Sequence, residues 1–112
     1  NWKNENKVCI DNSKKILNVG HPFVTLKDSI YFMLYSVDYG RGYRIRLAYS
    51  YDGISWKAKS RNFLSVGKQN WNNSSVSHPF YFEFNNRYFL LYSGNNFGKD
   101  GIGIKCIQRL SN

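Results

Sequence analysis

Two His-Pro pairs, His21-Pro22 and His78-Pro79, stand 57 positions apart, and each opens a run of aromatic and β-branched residues. An imidazole titrates near neutrality and can donate to or accept from a hydroxyl, so a pair of them suits a polyol such as a sugar, or the tuning of a neighbouring carboxylate. The same residues can equally cap their strands by bonding a backbone carbonyl next door. As metal ligands they form an incomplete set, with no Cys or carboxylate at a matching spacing. Just ahead of the second pair, the loop "WNNSSVSHP" places Trp71 and Asn73 in polar surroundings. There an indole can stack on a sugar ring or be pinned beneath its own loop, and an amide can meet a hydroxyl. A third cluster combines Tyr39, Arg41, Tyr43 and Arg44. A guanidinium grips a carboxylate or phosphate with two parallel bonds, although ordinary surface charge accounts for Arg41 as well.

These residues need elements to hold them, and composition limits what those can be. A chain of 112 residues is one domain's worth, with room for a single core. Apolar residues make up 42% and aromatics 18%, which is too hydrophobic for a disordered segment. No apolar run is long enough to span a bilayer as a helix, and no secretory signal pattern opens the sequence. The chain opens at Asn1 rather than Met, which is compatible with an upstream segment. Sixteen Lys and Arg against seven Asp and Glu give a net charge of +9. That favours acidic partners, but the basic residues are spread along the chain without clusters, so nucleic acid is not the expected partner. Cys9 and Cys106 fit no metal spacing and read as reduced structural thiols.

The elements read as strands and turns. Phe23 to Ser36 is apolar on both sides of a polar tip at Lys27-Asp28-Ser29, the pattern of two paired strands. "YRIRLAYS", Tyr43 to Ser50, alternates as a half-buried third strand. Asp52-Gly53 signals a tight turn, with a fourth strand beginning near Trp56, an expected packing residue between blades. "HPFYFEF", "RYFLLYS" and "GIGIKCI" then repeat the order, separated by Asn85-Asn86 and by a Gly- and Asn-rich loop, Gly94 to Gly101. At an offset of 57, His21, Pro22, Phe23, Tyr31, Phe32, Leu34, Tyr35, Ser36 and Ile45 match His78, Pro79, Phe80, Tyr88, Phe89, Leu91, Tyr92, Ser93 and Ile102. Units of this length with four short strands each are the arithmetic of a β-propeller. The expected fold is all-β: two four-stranded antiparallel blades of a partial propeller. Residues 19–60 form one blade and 61–112 the other. Residues 1–18 supply a linker and an outer strand, since "NWKNENK" at 1–7 resembles "SWKAKSRN", Ser55 to Asn62.

In combination, "HPFV", "YFMLYS" and "YRIRLAYSYDGISW" followed by "HPFYF" and "RYFLLYSGNNFGKDGIGI" resemble the last two blades of five-bladed propellers of the arabinanase and levansucrase type, and of their bacterial glycosidase-like relatives. The resemblance runs from Trp2 to about Ile107 and implies a glycan at the mouth of a central channel, bound by residues at the entrance of each innermost strand. His21, His78, Trp71, Asn73, Arg44 and Tyr39 are the substrate-binding candidates. No cofactor and no metal are implied, and the partner is a carbohydrate, acidic glycans included.

Glycoside cleavage needs two carboxylates flanking the bond. The resemblance implies such groups near the Pro that opens an innermost strand, where this chain has Val19-Gly20-His21 and the loop from Trp71 to His78. From Phe23 onward, Asp28, Asp52, Asp100 and Glu83 have turn, loop or mid-strand positions, which leaves Asp38 as an outside candidate. The reading is therefore a glycan-binding or glycan-processing propeller fragment without its own catalytic pair. The alternative is a small lectin-like module that closes a ring by self-association, and a basic module for acidic polymers is a third. Either a larger chain or a homo-oligomer is expected to complete the ring. The chain alone should turn over no chromogenic glycoside; hydrolysis abolished by Asp38→Asn would overturn this reading.

Overall fold

The computed structural model describes residues 2–11 and 15–112. Four strands, β1 (Asn18–Lys27), β2 (Ile30–Asp38), β3 (Tyr43–Ser50) and β4 (Lys57–Leu64), form one sheet in the order β1-β2-β3-β4. Three more, β5 (Ser77–Phe84), β6 (Arg87–Ser93) and β7 (Ile102–Ile107), form a second in the order β5-β6-β7. Every neighbouring pair is antiparallel. A 3-10 turn at Asn96–Gly98 is the one helical element among the described residues. The architecture is the all-β partial propeller that the sequence pattern implies.

The repeat extends to the backbone. Phe23 faces Leu34 and Thr25 faces Phe32 across β1 and β2, just as Phe80 faces Leu91 and Phe82 faces Phe89 across β5 and β6. Ser36 pairs with Ile45 as Ser93 pairs with Ile102. Both hairpins turn through two residues with positive φ, Asp28-Ser29 (49° and 65°) and Asn85-Asn86 (50° and 58°). That left-handed pair matches the twist of the flanking strands, and Asp and Asn adopt it at low cost.

Strand alternation gives each sheet two apolar faces. On the first sheet's inner face Phe32, Leu34, Ile45 and Leu47 pack against Val76, Tyr81, Leu90 and Tyr92 of the second, and this layer is the main core. Lys27 and Glu83 close one edge of it with a 2.6 Å ion pair. The first sheet's outer face carries Met33, Tyr35, Val37 and Ala48, on which Ile10, Ile16, Val19 and Trp56 pack. Trp56 thus lies against its own sheet, and its indole N–H donates to the Gly53 carbonyl at 3.1 Å.

The structure corrects several expectations. Among the described residues the second sheet has three strands rather than four. The outer strand was expected at residues 1–7; residue 1 lies outside the described residues, and residues 2–7 form no strand and are exposed, with Lys7 bonded to the Ser55 hydroxyl at 2.8 Å beside the first sheet. After β7 the chain instead crosses back: Leu110 is buried in the main core and the Asn112 amide donates to the Tyr51 hydroxyl. Cys9 and Cys106, expected as structural thiols, are free and exposed. β4 runs on to Leu64, beyond the expected limit at 60.

Because the two sheets share one layer, they should unfold together. Leu90 is fully buried within that layer, so Leu90→Ala should cost about 2–5 kcal/mol in urea denaturation while keeping a single transition. Two separated transitions would show that the sheets are independent.

Candidate functional site

The innermost strands β1 and β5 enter their sheets through matched irregularities. The register slips between Gly20 and Phe23 in β1 and between Ser77 and Phe80 in β5. The histidine in each slip has a left-handed backbone, φ 52° at His21 and 53° at His78. Such a conformation is uncommon for a residue with a side chain, and bulges of this kind redirect a side chain away from the sheet. Here they bring the two imidazoles into a stack with 3.7 Å between centroids. The His78 backbone N–H donates to the buried Ser36 hydroxyl at 3.0 Å, which ties the second entrance to the end of β2. Its Nδ1 lies 2.9 Å from the Ser77 hydroxyl. Nδ1 of His21 is buried and has no hydrogen-bond partner among the described residues.

Tyr43 and Phe97 complete the cluster. The Tyr43 ring lies 5.6 Å from His21 and 5.8 Å from Phe97, and Phe97 stands edge-on to both imidazoles at 6.5 and 6.1 Å. Phe97 is 65% exposed and itself has a left-handed backbone. Beside it opens a cleft of about 380 Å³ lined by residues that include Asp38, Arg41, Tyr43, Ser74, Ser75 and Asn96.

One amide organises this rim. Asn95 is buried; its Oδ1 accepts from the Ser74 and Ser75 N–H groups at 2.9 Å each, and its Nδ2 donates to the Asn70 carbonyl at 3.0 Å and to Asn73 Oδ1 at 2.9 Å. Those four bonds use the full capacity of a primary amide. At the equivalent place in the first sheet, Asp38 Oδ1 accepts from the Gly40 and Gly42 N–H groups at 2.7 and 3.1 Å. Asp38 therefore reaches the cleft wall as a loop cap. The other turn acid, Asp52, accepts from the N–H groups of Ser55 and Ile54 and bonds the Ser50 hydroxyl, and these bonds hold its carboxyl down at about 2.

The candidates drawn from sequence separate under this geometry. His21 and His78 come together. Asn73 sits on the rim, held by Asn95. Trp71 turns inward: its indole stacks on Tyr92 at 5.8 Å, and a Cβ on Gly94 or Gly103 would come within 2.7 Å of its ring. Arg44 spends its Nη1 on the carbonyls of Tyr43, Ser74 and Gly42 at 2.9 to 3.1 Å, so it joins the two sheets rather than reaching outward. Tyr39 is exposed, with its hydroxyl bonded by Arg46 and its ring beneath the Arg46 guanidinium. Phe97 and Asn95 were not singled out from sequence. Asn95 falls 57 positions after Asp38, and Phe97 is the one large apolar residue in its Gly- and Asn-rich loop; both signals were legible.

No family model matches the chain. It is 28% identical over 109 residues to the uncharacterized protein Rv1502 of Mycobacterium tuberculosis (strain ATCC 25618 / H37Rv), and 25% identical over 108 residues to the uncharacterized protein MT1551 of the CDC 1551 / Oshkosh strain. Each match covers 96% of this chain but 36% of the relative, so the chain spans about a third of those proteins. Among solved structures, a glycoside hydrolase superposes with a TM-score of 0.68 at 16% identity, over 82% of this chain and 28% of that one. A complex of BT0996 with RGII gives 0.60 at 20% identity, over 68% and 26%. At these identities the likeness is one of fold.

Burial, and then the charge of His78 against it, lower the pKa of His21 below the ordinary 6.5. A histidine whose folded pKa is depressed contributes stability that is complete above its unfolded pKa and is lost as pH falls through the folded value. Denaturation midpoints should therefore decline as pH drops below 6.5, and His21→Gln should flatten that decline. An unchanged pH profile in the variant would remove His21 as its source.

Proposed function

We propose that the end of the molecule where β1 and β5 begin binds a glycan, within a five-bladed propeller of the glycoside hydrolase type to which this chain contributes two blades. The observation that carries the reading is the stacked His21–His78 pair flanked by Tyr43 and the exposed Phe97. An exposed aromatic face offers the flat apolar surface that a pyranose ring presents its C–H groups to. The imidazoles and the polar rim of Ser74, Ser75 and Asn96 supply donors and acceptors for hydroxyls. Arg41, on the cleft wall, suits a sugar that carries a carboxylate. The fold likeness to a glycoside hydrolase and to a protein seen in complex with RGII supports a glycan over other polyols.

Among the described residues the cleft has one carboxylate, Asp38, and it is committed to two backbone N–H groups. The reading therefore gives these two blades a share in binding. Any acid and base pair would come from other blades of a longer protein.

Titration calorimetry with neutral and acidic oligosaccharides tests the assignment. Phe97→Ala and the double variant His21→Ala/His78→Ala should each weaken binding by about tenfold or more, equivalent to ~1.4 kcal/mol. The melting temperature of Phe97→Ala should stay near that of the parent. Affinity for an acidic ligand should fall further as salt rises through the physiological range, where the screening length is about 8 Å. Binding that neither change touches would place the glycan elsewhere.

A further inference from the structure

The two imidazoles occupy equivalent points of the repeat, yet their surroundings differ. His21 is half-buried, and its Nδ1 is sealed from solvent without a hydrogen-bond partner among the described residues. His78 is exposed, and its Nδ1 lies 2.9 Å from the Ser77 hydroxyl, which can accept from that nitrogen as readily as donate to it. An imidazolium carries a proton on both ring nitrogens. On His21 the second N–H would be buried with nothing to accept it, which costs the desolvation of an unpaired donor. On His78 the second N–H meets an oxygen.

The stack sharpens this difference. With 3.7 Å between centroids, two cations would repel strongly, so the rings together hold at most one charge near neutrality. A single imidazolium lies instead over the π face of a neutral ring, an arrangement that attracts. Burial and the charge of His78 both act on His21 in the same sense, holding it below the ordinary 6.5.

The charged side chains of the surrounding elements leave the division in place. Asp38, at the end of β2, is bonded to the Gly40 and Gly42 N–H groups, and Arg44, at the start of β3, to backbone carbonyls. Asp100, in the loop that carries Phe97, accepts from the Asn96 amide at 3.2 Å. Among the described residues no carboxylate pairs with either imidazole. Arg41 on the cleft wall and Lys99 in the Phe97 loop add positive charge to this end of the molecule. An anion brought by a ligand would therefore find cations here that no acid of the chain has neutralised.

We propose that the pair is a divided site: His21 stays neutral and offers its Nε2 N–H to a sugar hydroxyl, while His78 takes up the proton and, once charged, binds the carboxylate of an acidic glycan. The inference rests on the glycan reading and narrows its ligand class. Acidic glycans are then held more tightly as pH falls through the range in which an imidazole titrates, and neutral ones gain nothing.

The full chain has only these two histidines, so NMR of the ring signals reads each directly. Between about pH 8 and 5, His78 should take up a proton first, and long-range proton–nitrogen correlations should show His21 as the Nε2–H tautomer until then. In His78→Asn, a residue that tolerates the left-handed backbone at that position, His21 should titrate at a higher pH than in the parent, because the opposing charge is gone. A His21 that is protonated before His78, or that carries its proton on Nδ1, would overturn the division. Calorimetry with a hexuronic-acid oligosaccharide and its carboxyl-reduced counterpart tests the ligand. From about pH 8 to 5 the acidic probe should gain about two- to fivefold in affinity, the worth of a partly exposed ion pair, with proton uptake seen as a buffer-dependent heat. The reduced probe should show no gain, and His78→Asn should abolish that of the acidic one. An equal gain for both probes, or none for the acidic one, would overturn the carboxylate assignment. If neither probe binds at either pH, the glycan reading fails and the assigned ligand with it, whereas the NMR titration, which needs no ligand, judges the proton's place on its own.

Discussion

A sheet that is apolar on both sides has no stable existence in water until at least one side is covered, and this molecule answers that constraint with one layer. Phe32, Leu34, Ile45 and Leu47 from one sheet and Val76, Tyr81, Leu90 and Tyr92 from the other exclude water from both. The layer also fixes the relative position of the strand entrances. Only because the sheets are held face to face do two bulged histidines, distant in sequence, stack at 3.7 Å. Ser36 and Arg44 reinforce the same junction with hydrogen bonds across it.

The strands, the hairpins and the repeat were readable because each rests on local signals: alternation, turn residues with positive φ, and an offset that recurs. Their order in the sheets followed from the same pattern. The missing fourth strand of the second sheet was not readable, since likeness between residues 1–7 and the Trp56 region says nothing about where a segment docks. The burial of Leu110, which draws the chain's end back across the core, has no sequence period to announce it.

Within the site, sequence identified the histidines because they recur before Pro in both copies. For Trp71 it left two placements open, and Trp71 and Arg44 turn inward for a shared reason: side-chain direction in a loop is decided by what lies beneath it. The glycines at 94, 101 and 103 make a slot that the indole fills, and β3's entrance together with the Ser74 loop offers three carbonyls to one guanidinium nitrogen. Polar surroundings in sequence therefore did not mean an outward-facing side chain. Conversely, Phe97 is held outward by a left-handed backbone, against the ordinary preference of its side chain.

The matched bulges also carry a chronology. Both entrances share a slipped register, a left-handed histidine, a following proline and a two-residue turn with positive φ. On the simplest account these traits belonged to one ancestral hairpin before it was copied. What differs arose afterwards: a carboxylate at Asp38 against an amide at Asn95, and a flexible glycine at 40 against an aromatic at 97. Descent thus divides the entrance into an inherited frame and a diverged rim. The inherited frame sets where a ligand would lie, while the diverged rim gives two initially identical walls different chemical faces, as recognition of an asymmetric molecule requires.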